Sequence, residues 1–523
     1  MTILRYSKRT LNPISSENSW PSAIAPWQTG EYCIFFLIGI SLLLRTLGLY
    51  FNNLLVEEAY YWNYAQHLDW GYLDHPPMVA LLIKTTTAIL GTNELGVRFS
   101  SMLCWLGTSF FSYKLTNLIS RNAGLYAIFL LAILPFFFLH SLIITPDAPL
   151  IFCWCAMLYY LYRSLILEDT NSWYIVGLYL GLGLISKYTI LLLVPTTLLY
   201  VFIVPSSRKW LVKKEPYLAL LIALIFFSPV IYWNATHEWV SFLFQSTRRF
   251  QSSPSFSFHS YIGIIILFLM PPGVLGLYSL MKKSGNESIY AHKNSQLFLQ
   301  IFTLTPLIFF GIYSFSHELK FNWIGPIFLA TLPWLASLIK NKEHTKKLDT
   351  HQWWLITASV LLLGFTGLLF TISFGRPIVI YHKLFPKFIA WDSFTQSFHT
   401  IAQQIDIEHQ KTPIFVPLDL YNIGSELSFY QAKGLADKHI EKRYPIIGRH
   451  VFGGESLMYR YWSPKELAPG DLLILISKDI KDFDNTVLKN HQISKSGLNK
   501  IWSQSPMHHS PVHPYYYQVV EFK

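Results

Sequence analysis

"WYIVGLYLGLGLISKYTILLLVPTTLLYVFIV", residues 173–204, decides the fold. A membrane-spanning helix takes roughly 20 mostly apolar residues. The run is therefore too long for one crossing and short for two, and Ser186-Lys187-Tyr188-Thr189 divides it. Charge placement chooses between the readings. With a cytoplasmic N-terminus and a hairpin turning at Lys187, the basic connectors "SSRKWLVKK" (206–214), "MKKSGNESIYAHK" (281–293) and "KNKEHTKK" (340–347) fall inside with Arg121 and Arg163. A single crossing would put 206–214 outside and invert every later loop. Short cytoplasmic loops carry the excess of Lys and Arg, so the hairpin is the reading adopted.

Working outward, apolar runs at 32–52, 98–118, 123–142, 146–166, 216–234, 260–280, 296–315, 322–340 and 353–375 complete about eleven spans, with the C-terminus outside. Of the 523 residues 52% are hydrophobic and only 14% charged, where a soluble domain carries about a quarter charged residues. The net charge of +11 belongs to the inner loops and not to a nucleic-acid surface. Cys33, Cys104, Cys153 and Cys155 all lie within apolar runs and have neither metal-site nor disulfide spacing. The polar segment 1–31 ends in a hydrophobic run without a small-residue cleavage site, and reads as leading into a retained helix. "PPMVALLIKTTTAIL" (76–90) is too short to span and reads as an interfacial helix on the outer face. After about residue 380 the apolar runs stop. "PIFVPL" (413–418), "DLLILIS" (471–477) and the helical "WDSFTQSFHTIAQQI" (391–405) read as a small α/β domain over 379–523, beyond a membrane domain over 32–378 whose first outer loop is 53–97.

This topology rests on basic loops alone, so the placement of the other polar groups is independent of it. They gather on the outer face. The first loop, "VEEAYYWNYAQHLDWGYLDHPP" (56–77), brings Glu57, Glu58, Asp74 and His75 among aromatic rings. Asp147 opens a helix after Pro146, and Lys187 and Tyr188 sit at the hairpin turn. "YWNATHEWVSFLFQSTRRF" (232–250) adds Asn234, His237, Arg248 and Arg249, and "HELKFNW" (317–323) adds Lys320. Ionisable groups at membrane depth are costly and usually functional. Lys187, Arg248, Arg249 and Lys320 suit phosphate. Glu57 or Glu58 suits a general base for a hydroxyl nucleophile. Asp74 and Asp147 are hard oxygen ligands for a divalent cation such as Mg or Mn. Tyr60, Tyr61, Trp62, Trp70 and Tyr72 offer faces to a sugar or to headgroups. Each has a plainer reading: solvated loop acids, an interfacial aromatic belt, a helix-dipole aspartate, a snorkelling lysine, arginines on anionic lipid. His237, Glu238, His317 and Glu318 lack zinc spacing, and the Asn234-Ala235-Thr236 sequon abuts a span and is discounted.

"EEAYYW…LDWGYLDHPP", "TPDAPL", "SKYT", "WNATHEWVSFLFQ" and the late "KFNW" resemble, in order and spacing, the bacterial branch of the dolichyl-phosphate-mannose protein mannosyltransferase-like family. These are family 39 glycosyltransferases, relatives of the lipid A aminoarabinose transferase. The resemblance covers about residues 30–340, and "SELSFY" (425–430) extends it to the tail domain. It implies the GT-C fold, mainly α, with about 11–13 spans and a small extracytoplasmic α/β domain. It also implies transfer of a sugar, with inversion, from a polyprenyl-phosphate donor to a lipid, glycan or protein acceptor outside the bacterial inner membrane. The family's first outer loop carries an Asp-Glu pair whose first acid is the presumed catalytic residue; here Glu57 stands in its place and Glu58 in the second. Asp74 and His75 match positions that handle metal and donor phosphate, and Lys187 matches a phosphate contact. The competing reading is a secondary transporter or flippase of an anionic or lipid-linked solute, which the interrupted run at 186–189 would suit. No internal repeat supports it.

Overall fold

The computed structural model describes residues 29–250, 254–282, 294–341, 344–345, 348–377, 389–463, 467–484, 490–505 and 511–523, with His292, Tyr381 and Leu488 besides. The first helix, α1, is Thr29–Phe51. The outer loop then forms α2 (Val56–Gln66) and α3 (Met78–Leu90) before α4 (Glu94–Ile119). A bent pair follows, α5 (Gly124–Ile133) and α6 (Pro135–Leu142), and then α7 (Asp147–Leu165). The deciding run is a hairpin, as the basic loops require: α8 (Ser172–Leu184) ends, Ile185–Lys187 turn, and a 3-10 turn over Tyr188–Leu192 leads into α9 (Leu193–Ile203). Next come α10 (Glu215–Thr236), the short surface helix α11 (Val240–Phe250), α12 (Phe258–Met281) and α13 (Ser295–Tyr313). 3-10 turns over 321–330 lead to α14 (Leu332–Lys340), and α15 (Thr350–Phe374) closes the bundle.

Among the described residues five helices are long and apolar enough to cross a membrane unaided, or seven if each bent pair counts as one span. The shorter α8 and α9 are apolar as well. Among the described residues, basic groups of the connectors meet inner-loop partners: Lys209 pairs with Glu168 at 2.5 Å, Arg163 with Asp169 at 2.6 Å, and Lys340 reaches the Arg121 carbonyl.

The span over 123–142 is bent by 70°. Pro135 supplies no N–H for the Leu131 carbonyl and so ends α5. Arg45, buried within α1, takes up the loose acceptors: its guanidinium donates to Ala132 O (3.0 Å), Leu131 O (3.2 Å) and Ser141 Oγ (2.6 Å). The rings of Trp105 and Phe138 lie within 4.6 Å on either side of it. A backbone break at membrane depth needs such partners.

β1 (His344–Thr345) and β2 (Leu348–Asp349) form a small ladder. Beyond α16 (Trp391–His409) comes the C-terminal sheet: β3 (Ile414–Pro417), β4 (Leu472–Ser477), β5 (Gln492–Ser494), β6 (Asn499–Gln504) and β7 (Pro511–Phe522). Only β3–β4 is parallel; β7 pairs antiparallel with β4, β5 and β6. Between β3 and β4 lie α17 (Asn422–Ala436) and α18 (Tyr459–Trp462). This domain sits on the outer loop. One apolar core joins Ala59, Tyr60, Trp62 and Ile83 to Phe398, Leu427, Phe429 and Tyr459. The Leu54 N–H donates to the Tyr430 hydroxyl (2.9 Å), and Lys433 pairs with Glu94 at 2.7 Å.

Candidate active site

The first loop is helical because its acids suit a helix start: Glu57 and Glu58 lie in the first turn of α2, where the dipole favours negative charge. Consecutive helix residues point about 100° apart, and the two carboxylates part company. Glu58 turns inward and is fully buried. Its Oε2 accepts from the Leu55 N–H (2.9 Å) and its Oε1 from the Ile144 N–H (3.1 Å). Arg98, near the start of α4, donates to both oxygens, with Nη2–Oε2 at 2.6 Å. The same guanidinium binds the carbonyls of Asn52 and Asn53 at 2.7 and 2.8 Å. Glu58 therefore fastens α2, α4 and the extended segment before α7 together, so the oxygens expected to meet substrate are already engaged within the protein. Glu57 is half-buried, and its charge bears on Tyr61 and Tyr421.

Asp74 lies at the far end of the loop, buried, its Oδ1 accepting from the hydroxyls of Tyr64 and of Tyr60 (3.3 Å). Burial pushes its pKa up to about 6, against the pull of those hydroxyls and of Lys320. The Asp74 carbonyl accepts from Gln245 of α11. The third acid, Asp147, has both oxygens engaged: Oδ1 by Lys187 Nζ at 2.6 Å and Oδ2 by Asn322 Nδ2 at 2.7 Å. The turn that carries Lys187 is itself tied to the loop, because the Met78 N–H donates to the Ile185 carbonyl (2.9 Å). Glu57, Asp74 and Asp147 share one neighbour. The Tyr61 hydroxyl feels all three, and burial followed by these charges drives it well above its ordinary range.

Other expected site residues have different work. Tyr60 is buried, its ring 4.5 Å from Tyr421 and 5.9 Å from Trp462 of the C-terminal domain. Tyr61 packs edge-on to Tyr64 and His75. Both rings are buried, where the sequence offered them as faces for a sugar. Trp62 is likewise buried, against Phe429, whereas Trp70 is exposed. Asn234 is structural: it is buried, bonds the Val230 carbonyl (3.0 Å) and caps the Phe242 N–H (3.2 Å), joining α10 to α11. His237 stacks on Trp233 at 4.1 Å, and Trp233 holds Asp69 at 2.8 Å. Tyr188 reaches Ser241 at 3.4 Å. Lys320 is exposed beside the cleft. Arg248 and Arg249 lie on α11, and their side chains fall outside the described residues. Arg98, Tyr64, Tyr421, Gln245 and Arg45 were not singled out from sequence.

The divalent cation expected on Asp74 and Asp147 does not fit these carboxylates as they stand. Both oxygens of Asp147 and one of Asp74 already hold hydrogen-bond donors. Among the described residues no three His, Cys, Asp or Glu side chains form a metal-ligating group.

The helical bundle and its docked α/β domain match solved structures over nearly their whole length. ArnT from Cupriavidus metallidurans in the apo state aligns with a TM-score of 0.62 at 13% identity, covering 94% of this chain and 98% of that one. The form bound to undecaprenyl phosphate aligns at 0.60. The fold is the GT-C fold of ArnT. A family model described as dolichyl-phosphate-mannose-protein mannosyltransferase matches residues 74–233, a stretch that includes Asp74, Asp147 and Lys187. The lipid A galacturonosyltransferase RgtD of Rhizobium johnstonii is 24% identical over 189 residues, which are 36% of this chain and 40% of that relative. An uncharacterised protein of Aquifex aeolicus is 23% identical over 155 residues. The resemblance drawn from the five motifs thus holds for a multi-pass membrane protein with an ArnT-like GT-C fold.

Asp74 gives this site a pH dependence whose sign can be stated. Its pKa is raised on folding, so the buried loop favours the protonated acid. That contribution is complete in the ordinary carboxylate range and below, and is lost as pH rises through about 6. A turnover profile is expected to show an inflection near 6 that Asp74→Asn removes. If the inflection persists in the variant, another group is its source.

Proposed function

We propose that this protein is a membrane glycosyltransferase that moves a sugar from a polyprenyl-phosphate donor to a hydroxyl acceptor, with inversion. The acceptor is a lipid, glycan or protein on the outer face of the bacterial inner membrane, and Glu57 is the general base. One observation carries the reading. Of the six acids in the outer loop and at the mouth of α7, Glu58, Asp69, Asp74, Glu94 and Asp147 are held by hydrogen bonds or ion pairs, and Glu57 alone is not. A base must be free to accept a proton. As the acceptor oxygen bonds to the anomeric carbon, its proton passes to Glu57. The bond from that carbon to the phosphate oxygen breaks on the opposite face, and the polyprenyl phosphate leaves with the electron pair. Lys187, held in place by Asp147, meets the growing phosphate charge, and His75 and Lys320 are the further cationic candidates beside Asp74. No step is routed through a metal. RgtD, a lipid A galacturonosyltransferase, and ArnT, solved with undecaprenyl phosphate, support the donor and acceptor classes.

Lys187→Met tests the phosphate contact. Charged hydrogen bonds are worth about 1.5–3 kcal/mol, so the donor KM is expected to rise roughly tenfold to hundredfold. Because the change also strands Asp147, it is paired with Lys187→Met/Asp147→Asn, which removes the structural penalty. Recovery of the donor KM in the double variant would show that Lys187 only holds Asp147. Transport is a separate outcome: solute uptake by sealed vesicles without sugar transfer would replace the transferase reading. The site lies at one end of the bundle and not at mid-membrane, where transporters bind.

A further inference from the structure

Glu426 has no place in the transfer described above, and its surroundings call for an explanation. It lies on α17, the helix of the C-terminal domain laid against α2, and its side chain is fully buried. Neither carboxyl oxygen has a hydrogen-bond partner. Its neighbours on α17 are bonded across the interface: the Ser425 carbonyl accepts from Asn63 of α2 (3.3 Å), and the Tyr430 hydroxyl accepts from the Leu54 N–H. Glu426 is thus at the contact between domain and loop, contributing no bond to it.

The groups around it discourage a charge. From α2 it faces Glu58 and Glu57, from α4 Glu94 and Arg98. Tyr430 on its own helix, Tyr459 of α18 and Tyr515 of β7 complete the set. Arg98 is the one cation among them, and its Nε, Nη1 and Nη2 donate to Glu58, Asn52 and Asn53. Ionised Glu426 would be a buried carboxylate with no partner, beside three other acids. Such a group neutralises or leaves its burial site.

We infer that docking of the C-terminal domain on α2 is linked to protonation of Glu426, so that the domain sits firmly over the Glu57 loop in acid and loosens as pH rises. Burial and the neighbouring acids hold the Glu426 carboxyl well above the usual carboxylate range. When the domain lifts, the group regains water and its ordinary acidity. The docked form therefore binds one more proton than the lifted form between those two values. Across that window the equilibrium for lifting rises about tenfold per pH unit, as linkage to one proton requires. Below the window it is constant. The inference rests on the interface and not on the transfer reaction, so it stands or falls separately from the role of Glu57.

The test is hydrogen exchange of the backbone amides of residues 56–66 in the full-length protein in nanodiscs, from pH 5 to 9, corrected for the intrinsic pH dependence of exchange. The wild-type protein should lose protection by up to tenfold per pH unit over part of this range. Glu426→Gln, which has the same shape but cannot ionise, should show flat protection above about pH 7, where Asp74 has finished titrating. Glu426→Leu, which also cannot ionise and asks for no hydrogen bond, serves the same purpose if the glutamine folds poorly. A flat wild-type profile, or an unchanged slope in either variant, overturns the inference.

Discussion

Glu57→Gln is expected to lower kcat by about 10²–10⁴-fold, the range that a positioned general base contributes, while leaving the thermal midpoint and donor binding where they are. The structure separates these effects. Glu57 is held by no hydrogen bond or ion pair that the amide would disturb, and it is only half-buried. The change therefore removes a proton acceptor and little else. Glu57→Asp is the informative companion. The family's usual acid at this place is aspartate, and shortening the side chain withdraws the carboxylate from the cleft by one methylene. If the cleft is built for glutamate, Glu57→Asp keeps activity between glutamine and wild type. Wild-type turnover in Glu57→Gln, measured with purified protein and a polyprenyl-phosphate sugar, removes the base assignment.

The two acids at 57 and 58 also show where sequence reading stops. As letters they are equivalent, and only the motif's order suggested that the first does the chemistry. What distinguishes them is Arg98, forty residues on, in a span that reads as apolar. Hydropathy and basic-loop placement were enough for the path of the chain, because span length and loop charge are local properties. The turn at Lys187, the short helix after Pro77 and the strands at 414–417 and 472–477 all follow from them. The break at Pro135 was visible as a proline, but a window average cannot register a bend that Arg45 makes tolerable from another helix. Tyr60 and Tyr61 looked like open faces because nothing in the loop predicts its cover. Tyr421 and Trp462, which bury it, arrive from more than 350 residues away. The late "KFNW" carried a real contact, Asn322 to Asp147. The resemblance made that motif notable without saying which acid it would meet.

The second large effect is expected at Arg98, which touches no substrate. Arg98→Met leaves Glu58 charged, fully buried and short of its strongest partner, and it also frees the carbonyls of Asn52 and Asn53. Breaking a buried pair on one side costs about 3–5 kcal/mol, against a total folding stability of about 5–15 kcal/mol. The loss falls where the end of α1, α2, α4 and the segment before Asp147 meet, so activity should drop along with the thermal midpoint. That coupling is the opposite of the pattern at Glu57, where activity falls alone. Arg98→Met/Glu58→Gln supplies the control. With both charges gone the buried penalty is relieved, and the amide oxygen keeps an acceptor for one of the Leu55 and Ile144 N–H groups, which bond to different oxygens of Glu58. The double variant is therefore expected to be more stable than Arg98→Met alone and to recover part of its turnover. If instead Arg98→Met unfolds no earlier than wild type, Glu58 is not clamped in this way. If the double variant is stable but inactive, Glu58 or Arg98 acts on the reaction itself, and the division of labour between the two glutamates has to be redrawn.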